Sequence, residues 1–245
     1  MARTLARIAA GGIGAGVVFL SLAYATGGRD VDRLLDRALH ARSCGTTGGK
    51  AAAERRLAWT GGDTIDIAVS AITHYRGGDG SEVVLRGPAD AIAHVEVNGG
   101  RISLDCRDFS DRRSVEITLP GRPFRHINLD GAGALVMSNI DQPVLDINIR
   151  GSGDVRAQGT AERVTIKVAG SGTARMADLA MKQLTADIAG SGTVEAAPKD
   201  EADVRIAGSG HVRLFGRPAH VQSKVSGSGR VIQVPLDPTD KQERR

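Results

Sequence analysis

Residues 145–172 read LDINIRGSGDVRAQGTAERVTIKVAGSG, where a Gly-Ser-Gly triplet ends one run of alternating apolar residues and returns at the end of the next run. The triplet occurs six times, once with Ala in the middle. A spacing of about twenty residues is typical of stacked repeat architectures. The copies begin at Gly131, Gly151, Gly170, Gly190, Gly208 and Gly227 and end at Gly133, Gly153, Gly172, Gly192, Gly210 and Gly229.

Apolar residues alternate with polar ones before each triplet, and a period of two is typical of β-strands. The alternation resumes after the triplet, for example at Val155 and Ala157. Each unit therefore predicts a strand, a glycine bend and a second strand. Glycine suits the bend because it accepts positive φ and lets neighbouring backbones approach closely. In two successive units the apolar residues before the triplet are Leu145, Ile147, Ile149, Val164, Ile166 and Val168.

The pattern predicts an all-β fold, a parallel β-helix with coils of about 18–20 residues. Strands about 4.8 Å apart would stack coil on coil, and so short a coil encloses only a thin aliphatic interior. The low aromatic content of 3% fits such an interior. The main alternative is an up-and-down antiparallel barrel, which does not require the same glycine triplet in every unit.

The residues before the repeats contain shorter and less regular alternating runs. They predict irregular early coils or a hairpin layer that caps the stack, and Asn98-Gly99-Gly100 predicts a tight turn between two strands. After the repeats, Pro235 and Pro238 are expected to stop strand pairing, and the charged residues 241–245 to protect the last strand edge. The predicted early strands are 65–69, 83–85, 95–97, 102–106 and 115–119.

The N-terminus has the pattern of an export signal. Arg3 and Arg7 precede an apolar segment that ends near Ala23-Tyr24-Ala25, which predicts a signal peptide over residues 1–25 with cleavage after Ala25. An uncleaved signal anchor is the alternative, because the apolar segment is almost long enough to span a bilayer. Both predict a domain outside the cytoplasm, in the periplasm or cell envelope, with membrane contact only through this segment.

Three further regions follow the signal segment. Residues 26–56 are predicted to be a linker with a short amphipathic helix between Asp30 and Arg42. Residues 57–234 form the predicted β-helical domain, and residues 235–245 form a charged C-terminal tail. Cys44 and Cys106 are the two cysteines, and an oxidising compartment would allow them to pair, although spacing alone does not show that they are close enough.

Over roughly Leu57 to Val234 the chain resembles the bacterial putative auto-transporter adhesin head GIN domain family. The shared features are apolar alternation ending in Gly-Ser-Gly, repeated after a Gly-Ala-Gly variant, and a strand, Asn-Gly, strand unit at Val95 to Leu104. The resemblance implies a right-handed β-helix exported to the cell envelope, without established catalytic residues.

Charge and motifs exclude several classes of function. Removal of residues 1–25, which contain two arginines and no acid, lowers the formal charge from +4 to +2, too little for a nucleic-acid-binding protein. The chain has no phosphate-binding loop, no zinc spacing and no nucleophile elbow, and its six histidines are scattered. We therefore expect no cofactor and no metal.

A polysaccharide-processing β-helix enzyme would need acidic residues clustered on one face. Among the residues three positions after the first glycine of each triplet, only Asp154 is a carboxylate. The sequence therefore predicts a protein that is not an enzyme. The other residues in these positions are Ala134, Thr173, Thr193, His211 and Arg230.

Outward columns of charge offer a candidate binding surface. Five positions after the first glycine, successive coils carry Arg156, Arg175, Glu195 and Arg213. These arginines could form a basic strip for an anionic envelope polysaccharide. Alternatively the column is an ordinary surface in which Glu195, like Asp187 in a second column with Lys167 and Arg205, balances stacked charges.

The leading functional prediction is a non-enzymatic envelope module for binding or adhesion, with an envelope polysaccharide or a second copy of the chain as partner. A membrane-tethered envelope sensor is the alternative, and an uncleaved N-terminal segment would favour it.

Overall fold

The computed structural model describes residues 52–105 and 115–235, which lie within a compact unit spanning Cys44–Arg245. The predicted signal segment, the amphipathic helix, both cysteines and the charged residues 236–245 lie outside the described residues.

The described residues form fifteen strands and one short helix. In chain order they are β1 (Ala52–Ala58), β2 (Thr64–Ala68), β3 (Ile72–Arg76), β4 (Glu82–Pro88), α1 (Ala89–Ala93), β5 (Val95–Asn98), β6 (Arg101–Leu104), β7 (Glu116–Thr118), β8 (His126–Gly131), β9 (Ala134–Gly151), β10 (Asp154–Gly170), β11 (Thr173–Gly190), β12 (Thr193–Gly208), β13 (His211–Phe215), β14 (His220–Gly227) and β15 (Arg230–Val234).

Strands β9 to β12 build the regular coils, each running from one glycine triplet to the next. Their pairing is parallel, and its register shifts midway along the strand, as between Ala157 and Gly159. The half that follows a triplet pairs with β3 and β13, and β15 pairs with β13, in what we call the leading sheet. The half that precedes the next triplet pairs with β8 and β14 in the trailing sheet. The predicted parallel β-helix is confirmed, and the parallel pairing excludes the antiparallel barrel.

The core is the thin aliphatic layer between the two sheets. Ile147, Ile166, Ala186 and Val204 occupy equivalent positions on successive coils, pair in register and are buried. Alternate residues face outward because side chains on a strand point to opposite sides in turn. Burial of the apolar set stabilises the stack, since each coil alone would leave this layer exposed to water.

The glycine triplets stack as one corner of the solenoid. The amide of Ser191 donates to the carbonyl of Gly170 at 2.8 Å, and the amide of Thr193 donates to Gly172 at 3.0 Å. A Cβ on Gly192 would lie 2.5 Å from Cγ1 of Val168. The second glycine of the triplet is therefore needed for core packing, whereas the first is needed for its backbone conformation.

A second bend in the coils has no constant sequence, and the alternation did not predict it. In β9 the bend falls at Asn139, which has a φ of 55° and donates from Nδ2 to the carbonyl of Gly77 at 2.8 Å. In β10 it falls at Gly159, where φ is 130°. Since Asn tolerates the left-handed region better than most residues, different residue types can serve this bend in successive coils.

The residues before the repeats combine both predicted arrangements. Strands β2 and β3 form an early coil, in parallel register with β8 and β9. Strands β5 and β6 form the predicted hairpin, in which Asn98 pairs with Arg101 and Gly99 and Gly100 have φ values of 54° and 93°. Strands β1 and β4 extend the leading sheet in antiparallel pairing, and neither β1 nor α1 was predicted.

An aromatic cluster fills the interior near this end of the solenoid. Phe124 packs edge-on against Trp59 and Tyr75, with ring centroids 5.3 and 5.8 Å apart. Burial raises the pKa of the Tyr75 phenol above its ordinary value. Three of the four aromatic residues of the described ranges thus lie where the coil is irregular rather than along the narrow regular core.

Candidate functional site

The leading sheet brings the predicted arginine column together. Arg156 pairs in register with Arg175, which pairs with Glu195, which in turn pairs with Arg213. Adjacent strands lie about 4.8 Å apart, so Arg156 and Arg175 are direct neighbours and Arg213 follows two coils later. The four residues lie at the same distance from their own triplet, and in-register stacking of the triplets therefore aligns them.

Carboxylates partly neutralise the column. Asp154 accepts a hydrogen bond from Arg175 and lies 3.9 Å from Nε of Arg156. Arg213 donates to Glu195 at 3.0 Å and lies 5.3 Å above the ring of Phe215. The side chain of Arg156 is the most exposed of the three arginines, at 65%. Because exposed ion pairs contribute little energy, these arginines can exchange their partners for an anionic ligand.

Two clefts of mixed polarity adjoin the column at the second bend of the coils. One has a volume of about 340 Å³ and is lined by Arg156, Arg175, Gln158, Asp178 and Glu195, among others. The other has a volume of about 570 Å³ and shares Gln158. Since Gln158 lines both clefts, the two clefts adjoin each other.

Arg76 lines the second cleft and extends the basic surface beyond the repeats. It is exposed and has no ion-pair partner within residues 52–105 and 115–235. Sequence reasoning missed Arg76 because β3 lies outside the triplet repeats. We call Arg76, Arg156, Arg175 and Arg213 the arginine band.

The trailing sheet carries a different feature, an apolar trough with a volume of about 560 Å³. Its floor is a column of exposed alanines, Ala169, Ala189 and Ala207, in register on successive coils. One side is a column of charged side chains, and Arg150 lies at one end. The charged side chains of this column are Lys167, Asp187, Arg205 and Lys224.

Ion pairs hold part of the trough wall in place. Arg205 lies 3.4 Å from Asp187 and also donates to Asp203, so Asp187 balances charge as the sequence predicts. Arg150 donates to Asp130 at 2.6 Å, and this hydrogen bond raises the pKa of its guanidinium group further above the ordinary value. Lys167 and Lys224 form no ion pair with any carboxylate of the described residues.

Acidic and histidine side chains are the candidate acid–base groups of the described residues, and ion pairs engage several of them. Asp154, the one carboxylate of its column, is engaged by arginines. Two histidine–aspartate pairs occur, His94 with Asp105 at 2.7 Å and His126 with Asp146 at 3.1 Å. Within the described ranges, no hydroxyl side chain hydrogen-bonds either histidine. Sequence reasoning missed these pairs because the partners are distant in sequence and meet only through pairing of the strands that they flank or belong to.

Among the described residues, no helix has both the length and the apolarity needed to cross a bilayer.

Comparisons with known proteins agree with the fold. A solved structure of a putative adhesin from Bacteroides fragilis is similar, with a TM-score of 0.56 and 21% identity over 78% of this chain and 100% of that chain. A putative lipid binding protein from Parabacteroides distasonis has a TM-score of 0.46 and 19% identity, over 76% of this chain and 98% of that chain. A putative adhesin from Parabacteroides merdae has a TM-score of 0.45 and 15% identity, over 76% of this chain and 98% of that chain. The first of these supports the fold alone.

No curated protein matches the chain. The family model described as "Putative auto-transporter adhesin, head GIN domain" matches residues 63–218, which is more than half of the sequence. The match covers the early coil, the hairpin and the regular coils up to the end of β13. The protein therefore belongs to the auto-transporter adhesin head GIN domain family.

Proposed function

We propose that this protein is a non-enzymatic, adhesin-like module of the cell envelope whose arginine band binds an anionic envelope polysaccharide. The observation that supports this proposal is the register that places Arg156, Arg175 and Arg213 on one outward column. The column runs along the solenoid and carries three arginines over four successive coils, with Glu195 between Arg175 and Arg213. An arrangement spread over several coils suits an extended polymer better than a small ligand.

The chemistry of the band also suits an acidic polysaccharide. Guanidinium groups form paired hydrogen bonds with carboxylates, and Gln158 and Asn139 add neutral partners for hydroxyl groups. Asp178 and Glu195 make the surface mixed in charge rather than strongly basic. Each contact is therefore weak, and affinity arises from several contacts made along one polymer chain.

Export is part of the proposal. Membership of an adhesin family supports a location outside the cytoplasm, and residues 1–25 have the pattern of a signal segment. Periplasmic release after cleavage at Ala25 remains the prediction for the mature protein. The membrane-tethered sensor depends on retention of the same segment.

We expect the variant Arg156→Gln/Arg175→Gln/Arg213→Gln to bind an acidic polysaccharide such as alginate at least about tenfold more weakly, since charge-assisted hydrogen bonds are lost. Affinity would be measured by biolayer interferometry at low and physiological salt. Binding of the wild-type protein should weaken as salt screens the exposed arginines.

The matched control is Arg101→Gln/Arg125→Gln/Arg217→Gln, which removes the same charge from exposed positions outside the band. It should keep its affinity for alginate, and both variants should melt at the wild-type temperature. Equal loss of binding in both variants would show that net charge, and not the arginine band, determines the affinity for alginate. Unchanged binding in the band variant would reject the proposed site.

A further inference from the structure

The alanine-floored trough of the trailing sheet has a chemistry different from that of the arginine band. We infer that it binds one molecule of a fatty acid, with the acyl chain along the alanine column and the carboxylate beside Lys224. This inference does not depend on the proposed polysaccharide site, because the trough and the band belong to different sheets of the solenoid.

The floor of the trough is apolar because three small side chains are stacked. Ala169, Ala189 and Ala207 follow one another in register, whereas Arg150 and Ser226 occupy the equivalent positions on the coils before and after them. All three alanines are exposed. The small side chains leave a depression beside the longer side chains of the neighbouring outward column.

The wall beside the floor combines apolar stems with charged ends. Lys167, Arg205 and Lys224 line the trough, and long basic side chains of this kind place their methylene groups against apolar surface while the charge stays in water. No aromatic side chain lines the trough. An aromatic platform is what a sugar ring would stack on, so the lining favours an alkyl chain.

The charges along the wall indicate where an acid group would lie. Arg205 pairs in register with Lys224, so two cations lie on neighbouring strands about 4.8 Å apart. Asp187 and Asp203 contact Arg205, but no carboxylate of the described residues contacts Lys224. Lys224 is therefore a cation of the wall without an ionic partner among the described residues. A ligand carboxylate beside Lys224 would supply that partner.

The size of the trough fits a single chain. Its lining residues come from five successive coils, which corresponds to a length of about 19 Å at 4.8 Å per coil. Its volume of about 560 Å³ lies within the usual range of small-molecule sites. The chain would extend from Lys224 across Ala207, Ala189 and Ala169 towards Arg150.

The test measures binding of monomeric dodecanoate, below its micelle concentration, to the full chain by isothermal titration calorimetry. We expect saturable binding with one molecule per chain. Ala189→Glu should weaken it at least about tenfold, because it places a carboxylate in the apolar floor. Ala180→Glu is the matched control, since it adds the same side chain to an exposed position of β11 outside the trough, and it should bind like the wild type.

Two further variants separate the contributions of chain and head group. Ala207→Gln obstructs the floor without adding charge and should also weaken dodecanoate binding, which keeps the test decisive if Ala189→Glu folds poorly. Lys224→Gln should weaken dodecanoate about tenfold through loss of a charge-assisted contact. It should leave the weaker binding of uncharged dodecanol unchanged.

Several results would overturn the inference. They are an absence of saturable dodecanoate binding, equal effects of Ala189→Glu and Ala180→Glu, and displacement of dodecanoate by alginate, which would make the trough a polysaccharide site. Binding to anionic phospholipid vesicles that Ala189→Glu abolishes, without binding of monomeric dodecanoate, would identify a membrane-contact surface instead. Loss of alginate binding in the arginine-band variant would leave the fatty-acid result unaffected.

Discussion

The substitution Gly190→Ala is expected to lower the free energy of unfolding by about 3 kcal/mol or more, as strain and steric overlap act together. Gly190 has a φ of 123°, a conformation that L-residues rarely adopt. A Cβ there would lie 2.5 Å from the carbonyl oxygen of Gly170 on the preceding coil. Because that atom belongs to the backbone of a stacked corner, it cannot move away without disturbing the coil below.

The control for this prediction is Gly62→Ala. A Cβ at Gly62 would have no atom within 4 Å, and its φ lies outside the positive range. We expect it to change stability by less than about 0.5 kcal/mol, as is usual for surface substitutions. Urea denaturation followed by circular dichroism gives both values. Similar stability of the two variants would show that the corners do not need glycine.

The second large effect is expected for Ile166→Ala, which should destabilise the protein by about 3 kcal/mol through lost burial and the remaining cavity. Ile166 is fully buried between the two sheets, with Ile147 and Ala186 in the same column on adjacent coils. Hydrogen-bonded coils on both sides fix the spacing, so the interior cannot collapse to fill the space.

Thr165→Ala is the control that tests whether burial of Ile166 explains the loss of stability in Ile166→Ala. Thr165 is the neighbouring residue on β10, points to the opposite side of the strand and is only half-buried. Thr165→Ala should lower the free energy of unfolding by well under about 1 kcal/mol, as measured by the same urea denaturation. If Thr165→Ala and Ile166→Ala were equally destabilising, the assignment of inward and outward faces would be wrong.

The glycine triplets and the alternation of apolar and polar residues predicted the regular coils, because each reflects a constraint on local structure. A residue with the φ of Gly190 must be glycine, and a strand with one buried face must alternate. The second bend was not predicted because its requirement differs between coils. Asn139 meets it with one left-handed residue and Gly159 with a glycine, so no repeated residue type marks the position.

The early strands were harder to predict because distant partners determine them. Strand β1 pairs with β4, which is about thirty residues away, and the run Ala52–Ala58 is mostly exposed, so it lacks a strong apolar pattern. Arg55 donates to the carbonyls of Ile92 and Val95 around the end of α1. Such tertiary contacts stabilise short elements whose local sequence is weak.

The two candidate sites also differ in how far the sequence alone predicts them. The arginine column followed from the constant position of these residues after each triplet, because in-register stacking aligns Arg156, Arg175 and Arg213. The trough could not be predicted in this way, because an alanine before a glycine is common and has no distinctive chemistry. Only the outward orientation of Ala169 and Ala189 beside a basic column gives these residues a role.

In-register stacking of the coils underlies both candidate sites, and disulfide cross-linking at the corners tests it most directly. In a background with Cys44→Ser and Cys106→Ser, the pair Ser171→Cys/Ser191→Cys joins positions on adjacent coils, with Cα atoms about 5 Å apart, within the range that a disulfide spans. The pair Ser171→Cys/Ser209→Cys joins positions two coils apart, about 10 Å, which is too far.

After mild oxidation, intact mass with thiol alkylation should show an intramolecular disulfide in the first pair and two free thiols in the second. Cross-linking of the second pair, or of neither pair in folded protein, would contradict the stacked register.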